Sequence, residues 1–328
     1  MLTTRKVPHN RPPKASTALR IILLTLLVVS SLREVPAETN KTARSAVRAQ
    51  GSGNDSVPEE SFAQQLLHFR SLLLVGNWTE AEKTVNELLN TARRVNDGGL
   101  ALARAQLEAS SIYSGTGRWP AAKTLLLAAS ATLSKRAPKS EPEIAIAYNK
   151  LSAVLLSMDD LKNAEHFNQK ALAACKQITA QKAMYESLCR HQAALIALAK
   201  HEIPPCLAQL DTAFALIKDD PKQVSLQAEL LNTMSQVREF AGEPDLAYQL
   251  SKEAVRLSEQ SSDPFNPVLA KYLTQLASCA INLRSWSEAA GYIDRALDVE
   301  RSYHKSDSPL TIKLGNLREL VSRQLKTH

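Results

Sequence analysis

The chain has 328 residues, 44% hydrophobic and 5% aromatic, with a formal net charge of +7. That length exceeds the usual single globular domain, so it must form either two domains or one extended repeat array. Arg5, Lys6, Arg11, Lys14, Arg20 and Arg33 stand against the single acid Glu34 within residues 1–37, a net of +5 that leaves only +2 on the body; a body so close to neutral argues against nucleic acid as a partner.

The leader comes first. Behind its basic segment lie twelve uncharged residues, Ile21 to Leu32. A bilayer span needs about 20 apolar residues, so this stretch has the length of a signal-peptide core. Val35-Pro36-Ala37 offers small residues for cleavage before Glu38. Residues 1–37 are therefore expected to be a signal peptide, or a membrane anchor if left uncleaved. The chain would then be exported, periplasmic or secreted, with anchoring through residues 21–32 as the alternative. Residues 38–58 are rich in Thr, Ser, Gly and Asn with almost no large apolar side chain, the composition of a flexible linker. Asn54-Asp55-Ser56 and Asn77-Trp78-Thr79 match the N-glycosylation tripeptide.

From Glu59 to the end the pattern is helical. Trp286, Ala289, Ala290, Ile293, Ala296 and Leu297 follow helical spacing, as do Leu269, Tyr272, Leu273, Leu276, Ala280 and Leu283 on the segment before. Two such stripes joined by a short turn pack as an antiparallel hairpin. One phrase recurs: Gly76-Asn77-Trp78 before Ala81, Gly117-Arg118-Trp119 before Ala122, and Trp286 before Ala289. With the small residue after the turn as marker, hairpins register at Ala81, Ala122, Ala164, Ala208, Ala247 and Ala289, at intervals of 41, 42, 44, 39 and 42. Seven residues beyond lie Leu88, Ala129, Ala171, Ala215, Ala254 and Ala296, and twelve before lie Ser110, Ser152, Ser235 and Ala277. Small residues at facing heights let two helix backbones approach closely, with tryptophan filling the wider end of the wedge.

Gly76, Gly117 and Gly242 stand where each first helix must stop. Pro142, Pro267 and Pro309 suit a first helical turn, where the missing N–H costs nothing. The fourth copy is irregular: His201-Glu202-Ile203-Pro204-Pro205-Cys206 replaces the glycine turn. The last helix, Thr311 to Leu325, reads as the first half of a seventh unit, with Lys313, Arg318, Glu319 and Arg323 as a polar face.

A glycine, an aromatic two residues on and an alanine three beyond it resemble tetratricopeptide repeats. The period of about 42 residues, against 34 in the standard unit, is similar to the long-helix variety of kinesin light chains, as is the stretch from Asp307-Ser308-Pro309 to Leu314-Gly315-Asn316-Leu317. The resemblance implies an all-α, right-handed superhelical solenoid of about six antiparallel helix pairs with a C-terminal capping helix, over residues 59–328. It implies that the first helices line a concave groove for a peptide or protein segment, with asparagines contacting the bound backbone. Asn149 and Asn232 lie fifteen residues before their markers, Thr274 takes a third such place, and Lys150 and Gln275 adjoin them. Leu66 and Leu107 hold that place in the first two copies, which speaks against a polar groove there and leaves an apolar slot as the alternative.

Catalytic chemistry finds no signature. There is no His-Glu-x-x-His, phosphate-cradling glycine loop or dinucleotide fingerprint. The seven histidines are scattered, and Cys175, Cys189, Cys206 and Cys279 include no C-x-x-C pair, so neither a metal nor a cofactor is expected. Cys175, Cys189 and Cys206 are expected at different heights of their hairpins, as small buried hydrophobes. Glu80, Glu165 and Glu288 are read as first-turn acids that complement a helix dipole. The expected function is a non-catalytic scaffold or adaptor for proteins or peptides, of open oligomeric state. The competitors are a catalytic helical domain acting on a small substrate and a self-assembling spacer.

Overall fold

The computed structural model describes residues 56–74, 78–260, 268–303 and 309–326. The leader, most of the linker, and Asn54, Gly76, Asn77 and Pro267 lie outside them. The described residues form thirteen α-helices: α1 Ser56–Leu74, α2 Trp78–Arg94, α3 Leu100–Gly115, α4 Trp119–Arg136, α5 Pro142–Ser157, α6 Leu161–Cys175, α7 Lys182–Ala199, α8 Ile203–Ala215, α9 Val224–Phe240, α10 Pro244–Gln260, α11 Val268–Asn282, α12 Trp286–Tyr303 and α13 Pro309–Leu325. A 3₁₀ turn, Pro221–Gln223, precedes α9. Consecutive helices pack as pairs, α1 with α2 through α11 with α12, and α13 lies on α12. The chain divides into two compact units. The first holds residues 56–136, 153–164 and 198–200; the second holds 137–152, 165–197 and 201–326.

One turn geometry closes the hairpins. In the five hairpin turns that are described, those after the first pair, the backbone turns left-handed at Gly117 (φ 73°), Asp159 (63°), His201 (62°), Gly242 (82°) and Arg284 (58°). The next N–H reaches back five residues, Arg118 to Tyr113 O (2.8 Å), Asp160 to Leu155 O (2.9 Å), Glu202 to Ala197 O (2.9 Å), Glu243 to Arg238 O (3.0 Å) and Ser285 to Ala280 O (2.9 Å). These are Schellman caps, which satisfy carbonyls left open at a helix end. A Cβ on Gly117 or Gly242 would meet nothing within 4 Å. Glycine is favoured there by its positive φ alone, which Asp159, His201 and Arg284 adopt at a cost of roughly 1–2 kcal/mol each.

This turn corrects the register of the fourth copy. Ala208 and Ala215 are exposed, whereas Cys206 and Ala213 are fully buried. Cys206 is the marker, its N–H bonded to Glu202 O as Ala122 N–H is to Arg118 O. The intervals become 41, 42, 42, 41 and 42. Pro204 and Pro205 sit in the first turn of α8, where proline is tolerated, so the copy is regular. Ala208 matches the other markers in residue type, but the packing needs only a side chain that small, and cysteine supplies it.

Three columns then run through the pairs. The markers Ala81, Ala122, Ala164, Cys206, Ala247 and Ala289 are all 0% exposed. Seven residues on, Leu88, Ala129, Ala171, Ala213, Ala254 and Ala296 are buried, and twelve before, Phe69, Ser110, Ser152, Ala194, Ser235 and Ala277. Phe69 and Leu88 give the first pair its bulk, in a cluster with Val85, Ala105 and Ile112. Trp119 and Trp286 open α4 and α12, both half-buried. Glu165 is the fifth residue of α6, past its first turn. On α13, Arg318 is not solvating: its guanidinium grips both oxygens of Asp294 on α12 at 2.7 and 3.1 Å. Ile312 and Leu320 instead stay exposed there.

Size is the property selected at the marker, so Cys206→Leu should lower unfolding free energy by about 1–3 kcal/mol through overpacking. Ala208→Leu should change it by less than about 0.5 kcal/mol, as an exposed site would. Urea denaturation of the two variants distinguishes the registers, and the reverse ranking would restore Ala208.

Candidate functional site

The corrected register brings a fourth residue into line with the candidate groove positions. Fifteen residues before their markers stand Asn149 on α5, His191 on α7, Asn232 on α9 and Thr274 on α11, all in the second unit. All four are buried, at 6%, 2%, 0% and 4% exposure. Lys150, Gln192 and Thr233 follow them, also buried, and Gln275 is half-buried. These side chains therefore belong to a polar layer between first helices and do not stand out into solvent. In the first unit, Leu107 is buried and Leu66 packs on the apolar cluster. The neighbouring Glu108 accepts two hydrogen bonds from Arg70, at 2.9 and 2.7 Å.

Helix α9 is the centre of the polar layer. It packs against α10 and α11 and is preceded by α8, so every residue from Leu226 to Val237 is buried. A helix buried on all sides is normally apolar all round. This one carries Gln227, Glu229, Asn232, Thr233, Ser235 and Gln236. Some are satisfied locally: Gln227 Nε2 donates to Ile217 O (2.7 Å) and Asp220 O (2.9 Å), and Ser235 Oγ donates to Ala247 O (2.8 Å).

Glu229, Asn232, Gln236 and Glu239 share one face of α9 at spacings of three, four and three. Glu239, at the end, is fully engaged by α11: Gln275 Nε2 donates to one oxygen at 2.6 Å, Ser278 Oγ to the other at 2.9 Å, and Asn282 Nδ2 to that same oxygen. The Lys313 ammonium on α13 attracts the same carboxylate. The three residues before it are different. Asn232 Nδ2 and Oδ1, Glu229 Oε1 and Gln236 Oε1 are buried with no protein partner among the described residues, as is Gln192 Nε2 on α7. Each such atom costs about 1–3 kcal/mol unless something else satisfies it.

His191 closes the layer. Its Nε2 lies 3.1 Å from Thr233 Oγ1, and that hydroxyl donates to Glu229 O at 3.0 Å. With the hydroxyl proton committed, Nε2 carries a proton and donates to Thr233. Burial pushes the His191 pKa below its ordinary 6.5; Glu229 opposes that shift and Lys271 reinforces it. A histidine beside a hydroxyl has the form of a base and nucleophile. Here, however, the Thr233 proton is committed to a backbone carbonyl and the facing imidazole nitrogen is itself a donor, so the pair is not arranged as base and nucleophile. No group of His, Cys, Asp and Glu among the described residues could hold a metal ion. No described helix is long and apolar enough to cross a membrane.

Sequence reasoning points to Asn149, Lys150, Asn232, Thr274 and Gln275. The structure puts Thr274 Oγ1 on its own helix, donating to Ala270 O at 2.7 Å, and Gln275 on Glu239. His191, Gln192, Glu229, Gln236 and Glu239 escape it. His191 is hidden by the misplaced fourth marker. The others are legible as one polar face of α9, but only once that helix is known to be buried throughout.

No family model matches the chain, and no curated protein matches it in sequence. Solved structures do match in fold. NprR in complex with its cognate peptide NprX is 14% identical at a TM-score of 0.62, covering 96% of this chain and 86% of its own. The apo form of RapI is 17% identical at 0.56, covering 93% and 81%. BtubC from P. vanneervenii is 14% identical at 0.56, covering 70% and 95%. The fold is that of the tetratricopeptide-like helical-repeat solenoids.

A histidine whose folded pKa is depressed binds its proton more readily in the unfolded chain. Its contribution is complete above pH 6.5 and is lost as pH falls below that value. His191→Gln should therefore flatten the stability profile below pH 6.5 by up to about 1.4 kcal/mol per pH unit. Urea titrations of both proteins between pH 7.5 and 5 measure this, and parallel profiles would show that His191 is not the group responsible.

Proposed function

We propose that this tetratricopeptide-like chain is a non-catalytic interaction scaffold whose second unit receives a peptide or protein segment along the polar face of α9. The observation that carries this reading is Asn232, fully buried with both amide atoms lacking a protein partner among the described residues. An extended peptide presents one donor and one acceptor per residue. A side-chain amide that offers the complementary pair satisfies both at once, and Glu229 and Gln236 extend acceptors to either side. Because Asn232 is 0% exposed, a partner reaches it only as the first helices beside α9 move apart, and part of the binding free energy goes into that opening. The match in fold to NprR, which was solved with a peptide bound, supports the same class of partner. A near-neutral body is consistent with a partner other than nucleic acid.

Asn232→Leu tests the assignment, because it removes the amide while keeping the volume. Peptides selected from a display library against the full chain should lose at least about tenfold in affinity for the variant by calorimetry. Its melting temperature should be unchanged or raised, since unpartnered polar atoms have been deleted. Undiminished binding, or a loss of stability matching the loss of binding, would overturn this role for Asn232.

The proposed compartment rests on residues 1–37. If they direct export, a reporter active only outside the cytoplasm and fused after Ala37 should work, and replacing Leu26 and Leu27 with arginine should silence it. Reporter activity in the cytoplasm alone would reject export.

A further inference from the structure

The four cysteines do not share one environment. Cys175 ends α6 and Cys189 lies midway along α7, and their sulfur atoms are 3.6 Å apart. Both are buried, among Ala145, Ala171, Ile178 and Tyr185. This contact overturns the expectation that they sit at different heights. The register explains it: Cys175 stands eleven residues after marker Ala164, and Cys189 seventeen before marker Cys206. Ala92 and Ala105 hold the same two places in the preceding copies and share one buried cluster. Cys206 and Cys279 are placed differently. Cys206 fills a marker column, and Cys279 lies against Ser235 and Gln275 at 3.6 and 3.5 Å.

We propose that Cys175 and Cys189 are a disulfide site, a cross-link between α6 and α7 that forms in an oxidising compartment by exchange with a small-molecule or protein disulfide. The sulfurs need to approach by only about 1.5 Å to reach bonding distance. The Cys175 thiolate attacks one sulfur of the oxidant, breaking its S–S bond and releasing one thiolate. The Cys189 thiolate then attacks Cys175 Sγ in the mixed disulfide, and the second oxidant thiolate leaves. Two protons pass to solvent and two electrons to the oxidant. Chemistry separates the pair from the other thiols: the contact with Cys189 holds the Cys175 pKa down, whereas burial pushes Cys206 and Cys279 up to about 12. Because both sulfurs are buried, exchange takes place while the α6–α7 connection, residues 176–181, is open or before the two helices have closed. The cross-link would fix α7, which carries His191 two residues beyond Cys189.

The test uses the full chain, both native and refolded from urea, in oxidised glutathione, followed by alkylation in denaturant and peptide mapping. The expected result is one linked pair, Cys175 with Cys189, with Cys206 and Cys279 alkylated. The melting temperature should stand about 5–10 °C above that of the reduced chain. Cys189→Ala should abolish this redox-dependent shift and Cys206→Ala should keep it. Four alkylated thiols after oxidative refolding, or a link to Cys206 or Cys279, would overturn the proposal. Mapping of the unaltered chain decides between these outcomes even where a variant folds poorly.

Discussion

The structure depends on how closely two helix backbones are allowed to approach. At the marker position every hairpin places alanine or cysteine with no exposed surface, and the residue twelve before it on the partner helix is small in every pair but the first. The spacing recurs every 41 or 42 residues, so each hairpin is built to the same internal pattern. The Schellman turn keeps the two columns opposed, since it fixes how far the chain travels between the end of one helix and the start of the next.

Within that frame, α9 departs from the rule that buried helices are apolar. It keeps several polar groups that its own fold satisfies and several that it does not. Glu239, gripped from α11 by Gln275, Ser278 and Asn282, ties two first helices together with neutral donors and leaves its charge little freedom. About two and three turns away, Asn232 and Glu229 are more deeply buried than Glu239 and lack the same partners. A face whose lower part is saturated and whose upper part is not has a direction, and it leaves the unsatisfied part as the place where a foreign backbone would gain most.

The architecture was legible in the sequence because periodicity and small-residue spacing are properties of the chain alone. All-helical pairing, the turn glycines at Gly117 and Gly242 and the markers other than the fourth could be read without coordinates. The fourth failed for a chemical reason: cysteine and alanine are equivalent in volume to the packing but not to a reader looking for alanine. That one error displaced the column containing His191. It also hid the meeting of Cys175 with Cys189, because positions eleven after one marker and seventeen before the next come together only when both markers are right. The polar layer was less legible. Asn149 and Asn232 read as groove-facing, and their burial depends on neighbours contributed by other pairs.

The connection before α9 has a consequence of its own. It is eight residues long, braced by the 3₁₀ turn and by Gln227, and it follows α8, at 13 residues the shortest of the described helices. The interval between markers is nevertheless 41 there. Length lost from a helix has been returned as loop, so the chain keeps its phase while trading regular for irregular backbone. A residue inserted inside a helix would rotate everything after it in that helix by about 100° and scramble its face. An insertion in this connection lengthens irregular backbone instead, and outside the carbonyls that Gln227 holds it is the better place for a grafted segment or an affinity tag.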